Sequence, residues 1–333
     1  MLIDVHTHII PRAWLADVEK RGGVGSLTVD GGSTDRPAIH TAGVTFALSP
    51  GFIEPASAIE RMNRARIDAH VISPPTFLFH YSDPSARAVE LSRIINDAYA
   101  EIAHRFPGRF FPMGTVPLQD VDLACGELTR VADQLGMRAV EIGTFVNGMH
   151  LGDPRLRPFF ELAARRGIFV FVHPLTQSQV AEDALEFAYL RNLVGIPLST
   201  AFAVESVIFE GLLDQLPTLK IGFAHGGGVS SVLVDRWERA WRERAATGHC
   251  PGRSPLELYR TLYFDTVMHA PEALTLLFSR ADPKRIMLGS DFPADMGTPD
   301  FPGAVARTAL YSSETGAHIR GTTAKSLFAP PST

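Results

Sequence analysis

Four histidines and an aspartate stand at the ends of apolar runs, and together they have the chemistry of a metal site. His6 and His8 end the first apolar run of the chain. Residues two apart in a strand project from one face, so both imidazoles can point at the same ion. Three later segments repeat the order of apolar run, ligand-type residue and turn, and these residues are His173, His225 and Asp291. The pattern predicts that all five side chains converge.

Eight strand-like runs with helical segments between them would position these residues. The segments 84–105, 120–134 and 154–166 show apolar residues at spacings of three and four, which is typical of helices packed on one face. This alternation predicts an α/β fold, a (β/α)8 TIM barrel, with a doubly wound sheet as the alternative. The five residues would lie at the carboxyl ends of strands 1, 5, 6 and 8, where such barrels build their sites. The predicted strands are 2–5, 69–73, 110–116, 140–143, 169–172, 221–224, 262–265 and 286–289.

The chain length fits one large barrel with insertions. We expect a single metal-dependent domain over all 333 residues. Residues 11–52 are too many for an ordinary loop and are rich in Gly and Thr, so they are expected to form a small lid or hairpin insertion after strand 1. The connection 177–198, which follows His173, is expected to border the pocket.

Composition indicates a small-molecule substrate. A net charge of −5 without blocks of like charge provides no basic face for nucleic acid or a membrane surface. The chain opens without a signal-like segment, and no continuous apolar run approaches the roughly 18 residues of a membrane span. Cys125 and Cys250 form no CxxC pair, which suits a reducing compartment. We therefore expect a cytoplasmic protein.

Four short motifs, taken in order, carry a resemblance to a known family. They are His-Thr-His at 6–8, Val-His-Pro at 172–174, Ala-His-Gly-Gly-Gly at 224–228 and Gly-Ser-Asp-Phe-Pro at 289–293. Together they resemble the amidohydrolase superfamily, of the amidohydrolase 2 type. More narrowly, the chain is similar to the branch that includes aminocarboxymuconate-semialdehyde decarboxylase. The likeness extends from residue 1 to about residue 300, far beyond what a lone His-x-His would carry.

The resemblance implies a role for each residue of the predicted cluster. His6, His8, His173 and Asp291 would bind one divalent ion together with a water, and His225 would stand beside that water as general acid or base. Three imidazoles and one carboxylate suit zinc, and manganese is the alternative. For any one histidine taken alone, the alternative is a structural role, and for Asp291 it is a helix N-cap. The occurrence of all five residues together favours the metal site.

The resemblance also implies how a substrate carboxylate would be held. In the decarboxylases of this branch, one arginine comes from the lid region and one from across a dimer interface. Arg236 matches the second, with an exposed helix position as its alternative, whereas 45–52 carries no cation to match the first. Asn192 stands where the family has an aromatic residue, and Ala294 stands where it has Phe or His. We therefore expect a remodelled pocket that disfavours a dianionic substrate. His40 and His269 are further candidates for the pocket.

Two reactions are open to such a site. The first is non-oxidative decarboxylation of an aromatic acid or a muconate-semialdehyde-like carboxylate, with His225 as the acid or base. The alternative is hydrolysis of a lactone or cyclic amide, with His225 or Asp291 moving the proton. Decarboxylation is favoured because the likeness is to that branch. Trp237 and Trp241, four apart in the helical segment 230–244, predict a homodimer, and the alternative is that they pack on their own barrel.

Overall fold

The computed structural model describes residues 1–330 except 35, 42–43, 176–184, 186–188, 245–250 and 299, so Cys250 lies outside the described residues. Eight parallel strands form one sheet, and their spatial order follows their order along the chain. The predicted (β/α)8 barrel is confirmed. The barrel strands are β1 (Ile3–His8), β5 (Ala69–Ser73), β6 (Phe110–Thr115), β7 (Ala139–Gly143), β10 (Phe169–His173), β11 (Lys220–Phe223), β12 (Tyr263–Asp265) and β13 (Ile286–Met287).

Backbone hydrogen bonds close the sheet between its first and last strands. The amide of Val5 donates to Leu288 O at 2.8 Å, and the amide of His8 donates to Phe292 O at 2.7 Å. Between these bonds, the amide of Asp291 donates to His6 O at 2.8 Å. Closure therefore places the turn that carries Asp291 directly beside the strand that carries the histidine pair.

Two apolar layers stabilise the barrel. The inner layer includes Ile3, Val71 and Phe171, and Phe328 near the end of the chain packs against it. The outer layer joins the other faces of the strands to the surrounding helices. The helices are α1 (Arg12–Lys20), α2 (Pro50–Ile53), α3 (Pro55–Ala65), α4 (Ser85–Arg105), α5 (Val121–Asp133), α6 (Arg157–Arg166), α7 (Ile196–Phe209), α8 (Leu212–Gln215), α9 (Ser230–Arg244), α10 (Pro255–Tyr259), α11 (Pro271–Arg280), α12 (Phe301–Arg307), α13 (Ser313–Ala317) and α14 (Thr323–Phe328).

The segment 11–52 has secondary structure of its own. It contains α1, a three-stranded antiparallel sheet and the first residues of α2. Phe52 of this segment lines the main cavity, while closure of the rest over the mouth stays a prediction. The small sheet comprises β2 (Thr28–Asp30), β3 (Ala38–Thr41) and β4 (Val44–Ala47), and a separate hairpin comprises β8 (Phe145–Val146) and β9 (Met149–His150).

Among the described residues, one helical run is long and apolar enough to cross a membrane if length and composition alone are considered. It covers 191–209 and consists of a π-helical turn, Arg191–Gly195, followed by α7. Half of the run is buried within the protein, and helices packed in protein cores pass the same test.

Candidate metal centre and cavity

The five residues predicted to converge lie together at the carboxyl end of the barrel. The ring centroids of His6, His8 and His173 are 4.9–5.2 Å apart. His225 joins them with its ring centroid 5.0 Å from that of His173. Asp291 lies among them, with Oδ1 3.0 Å from Nε2 of His8 and Oδ2 3.4 Å from Nε2 of His225.

The donor atoms of this cluster have the arrangement that a metal ion requires. One ligand-type atom from each of His6, His173, His225 and Asp291 lies within 4.8 Å of all the others. Within the described part of the chain, Nε2 of His6 and Nε2 of His173 are buried and have no hydrogen-bond partner, although Asp291 Oδ1 lies 3.4 Å from Nε2 of His6. Buried polar atoms are rarely left unpaired, so these two lone pairs fit a cation. This group contains His225 and leaves out His8, a ligand of the predicted set, although Nε2 of His8 lies 3.0 Å from Asp291 Oδ1.

Each imidazole of the predicted ligand set is oriented through its other nitrogen. Nδ1 of His173 donates to Pro174 O at 2.9 Å, since a carbonyl can only accept. Nδ1 of His6 lies 2.6 Å from Asp265 Oδ2, and Nδ1 of His8 lies 3.2 Å from Ser73 Oγ. With protons on Nδ1, the Nε2 lone pairs face the cluster, which is the tautomer that binds metals.

Asp265 is a residue of the site that the motifs did not reveal. It is the last residue of β12 and fully buried, and besides its contact with His6 it accepts bonds from the amides of Gly226 at 2.9 Å and Val267 at 3.0 Å. The carboxylate thus fixes both His6 and the backbone that follows His225. Its position at the carboxyl end of a predicted strand was the available signal.

The electrostatics of the cluster favour carboxylates in their charged form. Burial alone would raise the pKa of Asp291, but His6, His225 and His8 outweigh it and hold that pKa well below its usual range. Burial holds the pKa of His173 well below its ordinary value, and the neighbouring histidines lower it further. For His6, burial lowers the pKa, but Asp291 and Asp265 more than compensate and raise it. His173 is therefore a neutral ligand-type imidazole.

Glu141 is a further buried carboxyl beside the histidines. Burial raises the pKa of Glu141 to about 8, so this side chain is mostly protonated near neutral pH. Its Oε1 lies 3.2 Å from Ser73 Oγ, the hydroxyl that also contacts His8.

His225 and Asp291 both have left-handed backbones. Their φ values are 54° and 60°, which cost non-glycine residues roughly 1–3 kcal/mol each. Asp265 holds the turn after His225 through the amide of Gly226. Asp4 holds the turn before Asp291, because Oδ1 of Asp4 accepts from the amide of Ser290 at 2.9 Å. Buried carboxylates therefore keep both functional side chains aimed at the cluster.

Arg61 of α3 completes the support around Asp4. Its Nη1 donates to Oδ2 of Asp4 at 3.1 Å and lies 3.0 Å from Nε2 of His70, while its Nη2 donates to Ser290 Oγ at 3.0 Å. The guanidinium also lies 4.5 Å from the centroid of the Phe292 ring. This network joins α3 to both sides of the turn that carries Asp291.

A cavity of about 550 Å³ opens above the cluster. His8, His173, His225 and Asp291 form part of its wall, and the predicted residues Asn192 and Ala294 line it as well. His269 also lines it, whereas His40 bonds to Asp30 and Thr45 within the small sheet. The connection 177–198 borders the cavity through its described part. The other residues of the wall are Phe52, Pro75, Thr76, Phe77, Leu193, Ile196, Pro197, Gly228, Val229, Val267, Met268, Ala270, Ala273, Asp295 and Met296.

Arg236 lies outside this cavity. It is exposed on α9 and does not line the cavity of its own chain. On the same helix, Trp237 packs on Phe209 with ring centroids 6.5 Å apart, and Nε1 of Trp241 donates to Pro251 O at 2.9 Å. Both tryptophans thus contact their own chain, which was the alternative to their role in a homodimer. A substrate role for Arg236 would require a second copy of the chain.

Comparison with known proteins agrees with this fold. A family model described as amidohydrolase matches residues 3–329. A 2-amino-3-carboxymuconate-6-semialdehyde decarboxylase of Dictyostelium discoideum is 32% identical over 317 residues, which cover 94% of this chain and 87% of the relative. The chain therefore belongs to the amidohydrolase family, as predicted.

Within that family, the chain groups with decarboxylases. A 2-amino-3-carboxymuconate-6-semialdehyde decarboxylase of Caenorhabditis elegans is 26% identical, over 89% of this chain and 86% of the relative. The structure of 5-carboxyvanillate decarboxylase from Sphingomonas paucimobilis superimposes with a TM-score of 0.82 at 21% identity, over 98% of both chains. A dihydroxybenzoic acid decarboxylase from Polaromonas sp. JS666, solved with manganese and 2-nitroresorcinol, gives 0.78 at 20% identity, over 98% of this chain and 96% of the other. The prediction of a carboxy-lyase of this superfamily is thereby confirmed.

Proposed function

We propose that this protein removes CO2 from an aromatic or conjugated carboxylic acid, using one divalent metal ion and the imidazole of His225. The observation that carries the proposal is the cluster at one end of an apolar cavity, where Nε2 of His6 and Nε2 of His173 are buried without a hydrogen-bond partner among the described residues. A carboxylic acid entering the cavity meets these groups with its carboxylate, while its apolar body contacts the wall.

We assign the metal to His6, His8, His173 and Asp291. Three imidazoles and one carboxylate suit zinc, and the manganese in the Polaromonas enzyme keeps that ion as the alternative. A bound divalent ion supplies positive charge that stabilises negative charge developing on the substrate. Asp265 and Ser73 orient two of the three imidazoles.

His225 supplies the proton in this proposal. The bond from the substrate carbon to its carboxylate breaks, CO2 leaves, and the electron pair stays on the carbon. The carbon takes a proton from the imidazolium of His225, which regains one from solvent. Asp291 Oδ2, 3.4 Å from Nε2 of His225, stabilises the charged ring. General acid catalysis of this kind contributes typically about 10²–10⁴-fold in rate.

The test separates the metal from the proton donor. We expect His225→Ala to lose about 10²-fold or more of CO2 release and to keep one equivalent of metal per chain. His40→Ala, a histidine of the small sheet, is the matched control and should keep both properties. Loss of metal from His225→Ala would make His225 a ligand instead.

Product masses test the reaction itself. Incubation of the metal-loaded protein with aromatic acids, muconate semialdehydes, lactones and cyclic amides should remove the mass of CO2 from an acid. Addition of the mass of water to a lactone or amide, with no acid decarboxylated, would replace this proposal by hydrolysis.

We further propose a cytoplasmic homodimer in which α9 takes part and presents Arg236 to the second copy. Exposure of Arg236 beside the aromatic residues of this helix supports an interface. Cys125, a half-buried free thiol, is compatible with a reducing compartment. Sedimentation equilibrium should give twice the chain mass, and a monomer would remove both the dimer and the role of Arg236.

A further inference from the structure

We infer that the cavity selects a substrate with a single carboxylate and an otherwise uncharged, apolar body, and that it discriminates against dicarboxylates. This inference rests on the proposed decarboxylation and narrows its substrate class. It separates this chain from a relative whose name, 2-amino-3-carboxymuconate-6-semialdehyde decarboxylase, describes a substrate with two carboxylates.

The composition of the wall is the first observation. Among the described residues that line the cavity, none is Lys or Arg. Away from the histidine cluster, the wall is formed mostly by apolar side chains, such as Phe52, Phe77, Ile196 and Met268. The titratable side chains there are His269 and Asp295, so the wall offers an acidic group and no permanent cation.

Arg12 and Arg61 are engaged elsewhere. Arg12, at the start of the segment 11–52, donates from Nε to Glu54 Oε1 at 2.8 Å and from Nη1 to Thr34 O at 2.8 Å. Arg61 is held by Asp4 below the turn that carries Asp291. Neither lines the cavity.

In the connection 177–198 after His173, Arg191 is the one Lys or Arg by sequence, and it does not line the cavity, although its neighbour Asn192 does. Residues 176–188 contain no Lys or Arg, and they contain the acids Glu182, Asp183 and Glu186. The stretch 45–52 likewise has no Lys or Arg. By sequence, neither 45–52 nor 176–188 supplies a cation.

A second carboxylate would lose water in this cavity without gaining a counter-charge. An uncharged group of similar size would contact the same wall without that desolvation penalty. A carboxylate buried without a partner weakens binding by about tenfold or more. The first carboxylate differs because it meets the metal and its histidines, and in the proposed dimer Arg236 of a second copy would serve this same carboxylate.

Two isosteric acids test the inference directly. Meta-toluate and isophthalate share a benzoate ring and differ in a methyl group or a second carboxylate at the same position. With the metal-loaded full-length protein, calorimetric titration near neutral pH should give a dissociation constant for isophthalate at least about tenfold larger than for meta-toluate. Equal or tighter binding of isophthalate would overturn the inference.

A positive charge introduced into the cavity wall provides a second test of the inference. Asn192→Arg adds a cation to the cavity, and Asn192→Gln adds length without charge. We expect Asn192→Arg to narrow the ratio of the two dissociation constants by about fivefold or more, and Asn192→Gln to leave it within about twofold. The same ratio in both variants would overturn the role assigned to the missing cation.

The outcomes separate this inference from the proposed reaction. Absence of CO2 release from every acid would refute the decarboxylase, while the ratio of the two dissociation constants still tests the wall. Release of CO2 from dicarboxylates as readily as from monocarboxylates would refute the inference and keep the decarboxylase. Tight isophthalate binding that Arg236→Ala abolishes would also overturn it, because the cation would then come from a second copy.

Discussion

Replacement of Asp265 by Asn is expected to weaken metal binding without removing a ligand. The carboxylate has three partners, since Oδ1 accepts from the amides of Gly226 and Val267 and Oδ2 lies 2.6 Å from Nδ1 of His6. An amide has one oxygen and one NH2 group. If the oxygen keeps both backbone amides, the NH2 group faces His6 and can only donate.

His6 must then change tautomer. Its Nδ1 would accept from the new amide, and the proton would move to Nε2, the atom that faces the cluster. Loss of such an orienting partner typically weakens metal affinity by about 10–100-fold, which corresponds to about 1.4–2.7 kcal/mol. A flipped amide would instead leave the amides of Gly226 and Val267 unpaired, so it is the less favourable arrangement.

Metal affinity measured by competition with a chromophoric chelator is the assay. Glu127→Gln is the matched control, because Glu127 is a buried carboxylate that accepts from Asn96 at 2.8 Å and Arg130 at 2.8 Å without touching the cluster. It should lower the free energy of unfolding and leave metal affinity unchanged. Metal affinity of Asp265→Asn within about twofold of wild type, with only stability reduced, would refute the tautomer argument.

Two further predictions concern the network below the site. Arg61→Met leaves Asp4 buried without its cation, and we expect a loss of about 3–5 kcal/mol in the free energy of unfolding, measured by urea titration. If the midpoint and slope of the urea unfolding curve were unchanged, the hydrogen bonds from Ser290 alone would be enough to stabilise the buried Asp4. Burial, together with Arg61 and Arg109, holds the pKa of His70 well below its ordinary value, so the folded protein leaves this ring neutral. The unfolded chain takes up a proton below about pH 6.5, so the stability from His70 is complete above that pH and falls as the pH drops towards the lower folded pKa. Between pH 6.5 and 5, the free energy of unfolding should therefore fall more steeply with falling pH for wild type than for His70→Gln. The difference in slope should be up to about 1.4 kcal/mol per pH unit. Parallel curves for the two proteins would contradict this prediction.

Much of the site follows from strand geometry that is visible in the sequence. His6 and His8 share a face because side chains alternate along a strand, and His173, His225 and Asp291 each end an apolar run. The barrel and the cluster could therefore be predicted together. The predicted strand 2–5 is shorter than the observed strand Ile3–His8. The strand continues through polar residues at its carboxyl end, and a search for apolar runs does not detect these.

Long-range pairing could not be predicted in the same way. The register of β1 against β5 shifts between Asp4 and Thr7, which marks an irregularity of the kind that redirects side chains next to functional sites. Asp4 contacts Arg61 of α3, whereas His6, two residues later, contacts Phe171 of the inner layer with ring centroids 5.4 Å apart. Simple alternation would have put both side chains on one face.

The sequence by itself determined the barrel, the five converging residues and the family, because each depends on local patterns of apolar runs and short motifs. Only the tertiary structure decided what supports and surrounds them. Asp265 lies 259 residues from His6 along the chain, and Asn192 meets Ala294 at one cavity only once the barrel is closed. Such contacts depend on closure and strand register, which no local spacing encodes. The same physical reason leaves Arg236, a candidate by motif, exposed outside the cavity of its own chain.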